Sequence, residues 1–145
     1  MNSKPLTVHM GPSAANRFCW VDLAATHADD AQRFYAQLFG WQSVPRSANG
    51  GLLHRLQLGG QDVGSLYQLP RQYLEQGVSS HWTAYVQVDN IQQTVERAIA
   101  LGGQLVVPPF VVTDMARIAL IVDAVGAPIG LWEPLYEKEE AHGRR

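Results

Sequence analysis

The side chains with chemical potential in this chain sit on alternate positions of a few strand-like runs. In FCWVDLAA, residues 18–25, the even positions are Phe18, Trp20, Asp22 and Ala24. The odd positions, Cys19, Val21, Leu23 and Ala25, are all apolar. Side chains alternate across a strand, so one face is pure core and the other presents a carboxylate beside aromatic rings. A carboxylate between apolar walls either accepts hydrogen bonds or a cation, or gives up its charge by taking a proton. Either state can orient a ligand or accept a proton from one, which makes Asp22 the candidate catalytic base and the polar centre of a site. The alternative is a buried Asp that only ties down a neighbouring loop through main-chain N–H groups.

Other residues are candidates by the same reasoning. In HWTAYVQV, residues 81–88, Thr83 and Tyr85 share a parity with His81 and Gln87, against an apolar set of Trp82, Ala84, Val86 and Val88. Tyr85 either presents its hydroxyl to a ligand or only packs. Trp20 and Trp132 can stack on a flat or apolar ligand, or simply fill the space. Arg117 is placed either to hold an anionic group or to pair with a surface carboxylate. His54 shares its parity with Leu52, Leu56 and Leu58 and is expected to face inward. The five histidines, His9, His27, His54, His81 and His142, show no pair at ligand spacing. They read as isolated, hydrogen-bonded side chains, and no metal site and no cofactor are expected.

Composition narrows the class. The chain has 145 residues, with 11 Lys plus Arg against 13 Asp plus Glu and a net charge of −2, so no basic stripe points to nucleic acid. Cys19 is the lone cysteine, which rules out an intrachain disulfide and fits a reducing compartment. Its all-apolar parity makes it a small core residue rather than a nucleophile. Met1–Arg17 has no apolar run of the secretory kind, and no stretch approaches a membrane span. A cytoplasmic location is the expectation.

The elements that must position these side chains can be read in order. Residues 1–17 form a polar arm. After the strand at 18–25, Thr26 and Asp29 suggest a capping box. Ala31, Phe34, Tyr35, Leu38 and Phe39 follow at helical spacing, and Gly40 suits the stop. Strands are expected at 41–45, 52–58 and 61–67, the last two joined by Gly59-Gly60. Residues 70–80 read as a linker. A second strand, 81–88, leads into Asp89 and Asn90 as caps, a helix with Ile91, Val95, Ala98 and Ile99 on one face, and Gly102-Gly103 as its end. Strands at 104–112, interrupted by Pro108-Pro109, at 115–123 and at 128–133 complete the pattern. Residues 136–145 form a charged tail.

The two halves repeat at an offset of about 63 residues, so that Trp20 falls on Thr83 and Asp22 on Tyr85. Toward the ends the offset is about 66 and Gly64 falls on Gly130. The prediction is an α+β fold of two tandem βαβββ modules, 18–69 and 81–135, forming one domain. Their sheets are expected to make a cup-shaped half-barrel with helices outside.

The stretches VDLAATHADDAQRFYAQLFGW, VQVDNIQQTVERAIALGGQLVVPPF and ARIALIVDAVGAPIGLWEP resemble the vicinal oxygen chelate superfamily, which includes glyoxalases, bleomycin-resistance proteins and extradiol dioxygenases. CWVDL, FYAQLFGW, VPPF and GLWEP resemble its glyoxalase-like branch. The resemblance implies four metal-ligand positions, which here are Trp20, Gly64, Thr83 and Gly130. Indole and glycine offer no side-chain lone pair to a metal, and threonine is a poor neutral ligand. The expected function is therefore metal-independent binding of a small, partly apolar or aromatic molecule, with a homodimer as the expected assembly. The alternatives are a metal-independent lyase, isomerase or hydroxylase using Asp22, and an assembly subunit whose cup is filled by its own aromatics.

Overall fold

A computed structural model describes residues 15–48 and 51–135. It contains β1 (Phe18–Ala25), α1 (Ala28–Phe39), β2 (Gln42–Ala48), β3 (Gly51–Leu58), β4 (Gln61–Gln68), α2 (Arg71–Glu75), β5 (His81–Gln87), α3 (Ile91–Ala100), β6 (Gln104–Val112), β7 (Ala116–Val122) and β8 (Pro128–Pro134). The α+β class is as expected. The short helix α2 inside the expected linker is not, because one turn and a half of RQYLE is too brief to show a period. Most of the polar arm, with His9, and the charged tail, with His142, lie outside the described residues. No helix among the described residues is long and apolar enough to cross a membrane.

The chain divides into two compact units, Trp20–Thr83 and the remainder. In the first, the strand order is β1-β4-β3-β2, with β1 and β4 parallel and the other pairs antiparallel. In the second, the order β6-β7-β8-β5 repeats this plan, with β5 and β8 parallel. Each unit has its own apolar core between sheet and helix. Leu23, Ala25, Leu56 and Leu66 of the first sheet meet Ala28, Ala31 and Tyr35 of α1. Val88, Ala119, Ile121 and Leu131 meet Ile91, Val95 and Ala98 of α3. Parity thus sends Leu23 and Ala25 to the helix side, as the alternation predicts, while Val21 of the same parity is 40% exposed.

The helix starts correct one expectation. Thr26 makes no capping box; its main-chain N–H and its hydroxyl are engaged with Ser80 Oγ instead. His27 is the N-cap, and its side chain makes no capping bond. The first amide of α1, Ala28 N–H, donates instead to Gln68 Oε1 at 2.9 Å, from the end of β4. The second unit repeats the device: Ile91 N–H, the first amide of α3, donates to Glu133 Oε1 of β8 at 2.9 Å. Asn90 adds the local cap, accepting from Gln93 N–H at 3.0 Å. Parallel pairing of opening and closing strands carries the end of β4 or β8 alongside the helix start, so a distant side chain can satisfy an orphan donor.

The α1 stripe is also wider than its contact. Ala31 and Tyr35, one turn apart, pack on the core, whereas Phe34, Leu38 and Phe39 are 57%, 57% and 51% exposed. Tyr35 is the hub of a ring cluster, with centroids 5.1 Å from Phe34, 5.3 Å from Trp41 and 5.7 Å from Trp82. Gly40 ends the helix at φ +78, donating to Ala36 O, as its position predicts. The double proline of β6 coincides with shifts in its register against β7.

Gln68→Ala removes an acceptor for the first helical amide without touching the core. It should cost about 1 kcal/mol, the usual worth of a helix cap, while Gln68→Glu keeps an acceptor and should cost less. Chemical denaturation of the two variants checks this, and equal stability of Gln68→Ala and the parent would remove the cap from the account.

Candidate functional site

Register decides which side chains share a face. In the first unit Asp22 pairs with Ser65, Ser65 with Arg55, and Arg55 with Val44. Directly paired residues project to the same side, so this row lies opposite the helix-side residues Leu23, Leu56 and Leu66. Trp20 and Tyr67 extend the face along β1 and β4, and Leu53 and Arg46, themselves paired, extend it along β3 and β2.

At its centre is a short chain of hydrogen bonds. Trp20 Nε1–H donates to Ser65 Oγ at 2.8 Å, and Ser65 Oγ–H donates to Asp22 Oδ1 at 2.6 Å. All three residues are buried: Trp20 is 8% exposed, Asp22 4% and Ser65 0%. The serine hydroxyl has its donor and acceptor roles assigned by its neighbours, since indole N–H can only donate. Its proton therefore points at the carboxylate. Asp22 is the only buried carboxylate among the described residues.

Tyr67, half-buried two residues beyond Ser65, feels that site. Burial first, then the charge of Asp22 and of Tyr73, push its phenol up to about 12. Burial alone pushes the Cys19 thiol up to about 12, which makes it a poor nucleophile. At the rim of the same face Arg55 forms a two-point ion pair with Asp62, with Nε and Nη2 each 3.0 Å from a carboxylate oxygen. Gln57 Nε2 donates to Asp62 Oδ1 at 2.9 Å.

The second unit presents an aromatic counterpart. Tyr85, 2% exposed, and Trp132, 3% exposed, meet edge to face with centroids 6.0 Å apart. Tyr85 pairs with Gly130, and a Cβ on Gly130 would lie 2.2 Å from the tyrosine ring. The ring occupies the space a side chain at 130 would need.

The remaining predicted residues fall elsewhere. His54 pairs with Leu66 and so stands on the helix-bearing face, with Nδ1 3.2 Å from Ser43 Oγ. Arg117 shares the helix side with Ala119 and Ile121, and its Nη1 donates to Glu133 Oε2 at 3.1 Å. Thr83 is buried on β5. His81 is exposed, with Nδ1 2.8 Å from Ser79 O. Ser65, Tyr67 and Arg46 were not singled out by sequence. Ser65 and Tyr67 lie on a strand whose bulge near Val63-Gly64 hides its parity, with register shifting opposite Leu56-Gln57.

The same bulge corrects the inherited metal positions. Ser65 stands to Asp22 as Gly130 stands to Tyr85, so the terminal offset is 65 rather than 66. Gly64 pairs with the core residue Leu56, and a Cβ there would meet Val21 O at 2.9 Å. Trp20 gives its only polar hydrogen to Ser65, Ser65 and Thr83 offer only neutral hydroxyls, and Gly130 has no room for a side chain. Among the described residues no three His, Cys, Asp or Glu side chains lie together. These positions do not fit a divalent ion.

Gly130→Ala should destabilise the fold by about 1–3 kcal/mol through overpacking against Tyr85. In a Tyr85→Ala background the same change should be nearly neutral, and a double-mutant cycle by thermal melting measures the coupling. A second expectation concerns alkaline pH. Tyr67 holds its proton more tightly folded than unfolded, where the ordinary value is 10.0. Its contribution is complete below pH 10 and is lost as pH rises through about 12. Tyr67→Phe should make the fall in stability over that window shallower, and an unchanged slope would contradict the assignment.

A family model described as a glyoxalase-like domain matches residues 20–129. The glyoxylase-named protein CFP32 of Mycobacterium tuberculosis is 34% identical over 116 residues, covering 79% of this chain and 44% of the relative. The anthracycline biosynthesis protein DnrV of Streptomyces peucetius is 26% identical over 124 residues, covering 78% of this chain and 45% of that one. The chain thus spans less than half the length of these curated relatives. Among solved structures, methylmalonyl-CoA epimerase from Mycobacterium tuberculosis superposes with a TM-score of 0.65 at 22% identity, covering 91% of this chain and 97% of the epimerase, which shows a shared fold. With the model match over most of its length, the chain belongs to the glyoxalase-like domain family of the vicinal oxygen chelate superfamily.

Proposed function

We propose that the protein binds a small, partly apolar or aromatic organic molecule, without a metal, over the sheet face that carries Trp20, Asp22 and Ser65. The observation that carries this reading is the Trp20–Ser65–Asp22 relay. A buried carboxylate is expensive to keep away from water, and here it is oriented by a hydroxyl whose own direction is set by an indole. Such a group is suited to fix one polar atom of a ligand whose body rests on apolar walls. The half-buried Tyr67 marks the more accessible part of the same face. The names of CFP32 and DnrV support chemistry on small organic molecules in this family.

The same carboxylate supports a second reading, a metal-independent lyase, isomerase or hydroxylase in which Asp22 accepts a proton from the bound molecule. The Ser65–Asp22 bond of 2.6 Å supports it to this extent, that a donating serine holds the carboxylate ionised and oriented, the form able to accept a proton. In a third reading the aromatic side chains only fill the space and the chain serves assembly. A second copy of the chain is the partner we propose, and the exposed Phe34, Leu38 and Phe39 supply apolar surface for it.

Native mass spectrometry of freshly purified protein identifies a co-purifying ligand, and Asp22→Asn then separates the readings. It keeps the shape and removes the charge. Binding should weaken about tenfold or more, in line with the loss of a charged hydrogen bond, with little change in melting temperature. Tryptophan fluorescence, through Trp20, reads the titration. A change that costs roughly 1–3 kcal/mol of stability and leaves affinity and turnover intact would reduce Asp22 to a structural role.

A further inference from the structure

The face that carries Asp22 also carries two arginines, and their surroundings differ. Arg55 is satisfied by the two-point pair with Asp62. Arg46 has no carboxylate partner among the described residues. Its Nη1 donates to its neighbour's main-chain oxygen, Pro45 O, at 3.0 Å. Its Nε is buried and has no hydrogen-bond acceptor among the described residues. Register puts it on this face: Arg46 pairs with Leu53, and Leu53 precedes by two residues Arg55, which pairs with Ser65. Leu53 is 6% exposed, so the residue paired with Arg46 on this face is a buried apolar side chain.

A buried N–H with no acceptor carries a desolvation cost that a bound acceptor would relieve. Arginine's fork matches a planar oxyanion at two points. With Nη1 turned to the main chain, the Nε side of the guanidinium is the edge left for such a group. We infer that Arg46 receives the carboxylate of an organic acid whose apolar body lies along the Leu53 side of the face. The inference rests on the reading that this face is the ligand site and deepens it by naming the ligand class. Of the two roles open to Arg117 from the sequence, it takes the pairing with a carboxylate, Glu133, and the anion-binding role passes to a residue on the face of Asp22. Opposite charges then mark the site, Asp22 on β1 and Arg46 on β2, three strands apart, roughly 14 Å of sheet at the usual spacing of about 4.8 Å per strand. A molecule with an acid at one end and a hydrogen-bond donor toward the other matches that separation.

The test is a binding panel of aromatic and aliphatic carboxylates, each matched with its own primary amide, titrated against the full chain by tryptophan fluorescence and calorimetry. In the parent, acids should bind roughly 10- to 100-fold tighter than their amides, the worth of a charged hydrogen-bond pair. Arg46→Gln should abolish that preference, bringing acids and amides to equal affinity. Arg46→Lys keeps the charge and loses the fork, so it should keep only part of the preference, and it serves as the readout if the glutamine variant fails to fold. Equal binding of acid and amide in the parent, or a preference that survives Arg46→Gln, overturns the inference and leaves the ligand face standing. Failure of every acid and every amide to bind overturns both.

Discussion

The parallel pairing of opening and closing strands within each unit is the constraint on which the rest depends. It links β1 to β4 and β5 to β8, strands separated by dozens of residues, and so must be held against slippage. A one-residue slip would exchange core and site faces along the whole strand. The apolar parity of Leu23 and Ala25 opposes such a slip from the helix side. The Gln68 and Glu133 bonds oppose it from the strand ends, because each side chain reaches its helical amide in one register only. Glu133 also binds Arg117, so in the second unit the cap is part of an ion pair as well.

Within that shared frame the two units have taken opposite solutions at equivalent positions. Where the first places a carboxylate against a serine, the second places a tyrosine over a glycine. A small polar residue opposite a short acid makes a hydrogen bond. No side chain at all opposite a large ring makes room for it. The first unit therefore keeps polar chemistry on its sheet face, and the second covers the matching place with packed aromatic surface. The repeat preserves geometry while exchanging function between volume and charge.

Much of this was legible in the sequence because strand alternation and helical spacing are strong signals. The strands around 18–25, 61–68 and 81–87, both long helices and the Gly40 stop follow from pattern alone. So does the placing of Asp22, a single carboxylate on an otherwise apolar strand, at a buried position. What stayed hidden depends on contacts across the chain. The bulge in β4 shifts parity by one, which concealed Ser65 and misassigned Gly64. The acceptors for the first amides of α1 and α3 come from residues about 40 positions away, beyond the reach of any local motif, whereas Asn90 caps α3 locally as its position predicts. His54 and Arg117 were drawn toward the site by parity, yet parity does not say which face bears the helix, and both stand on the helix side.

The tyrosine seated on Gly130 bears on how this site can change over time. A coordinating side chain cannot be introduced at position 130 by one substitution, because the ring already fills the volume. The ring must shrink first, and the intermediate then carries a void where packed surface had been. Neither order of events passes through a well-packed protein. The present arrangement therefore acts as a ratchet: with a large ring at 85 and a glycine at 130, gain of a side chain at 130 is opposed by packing rather than by loss of the fold.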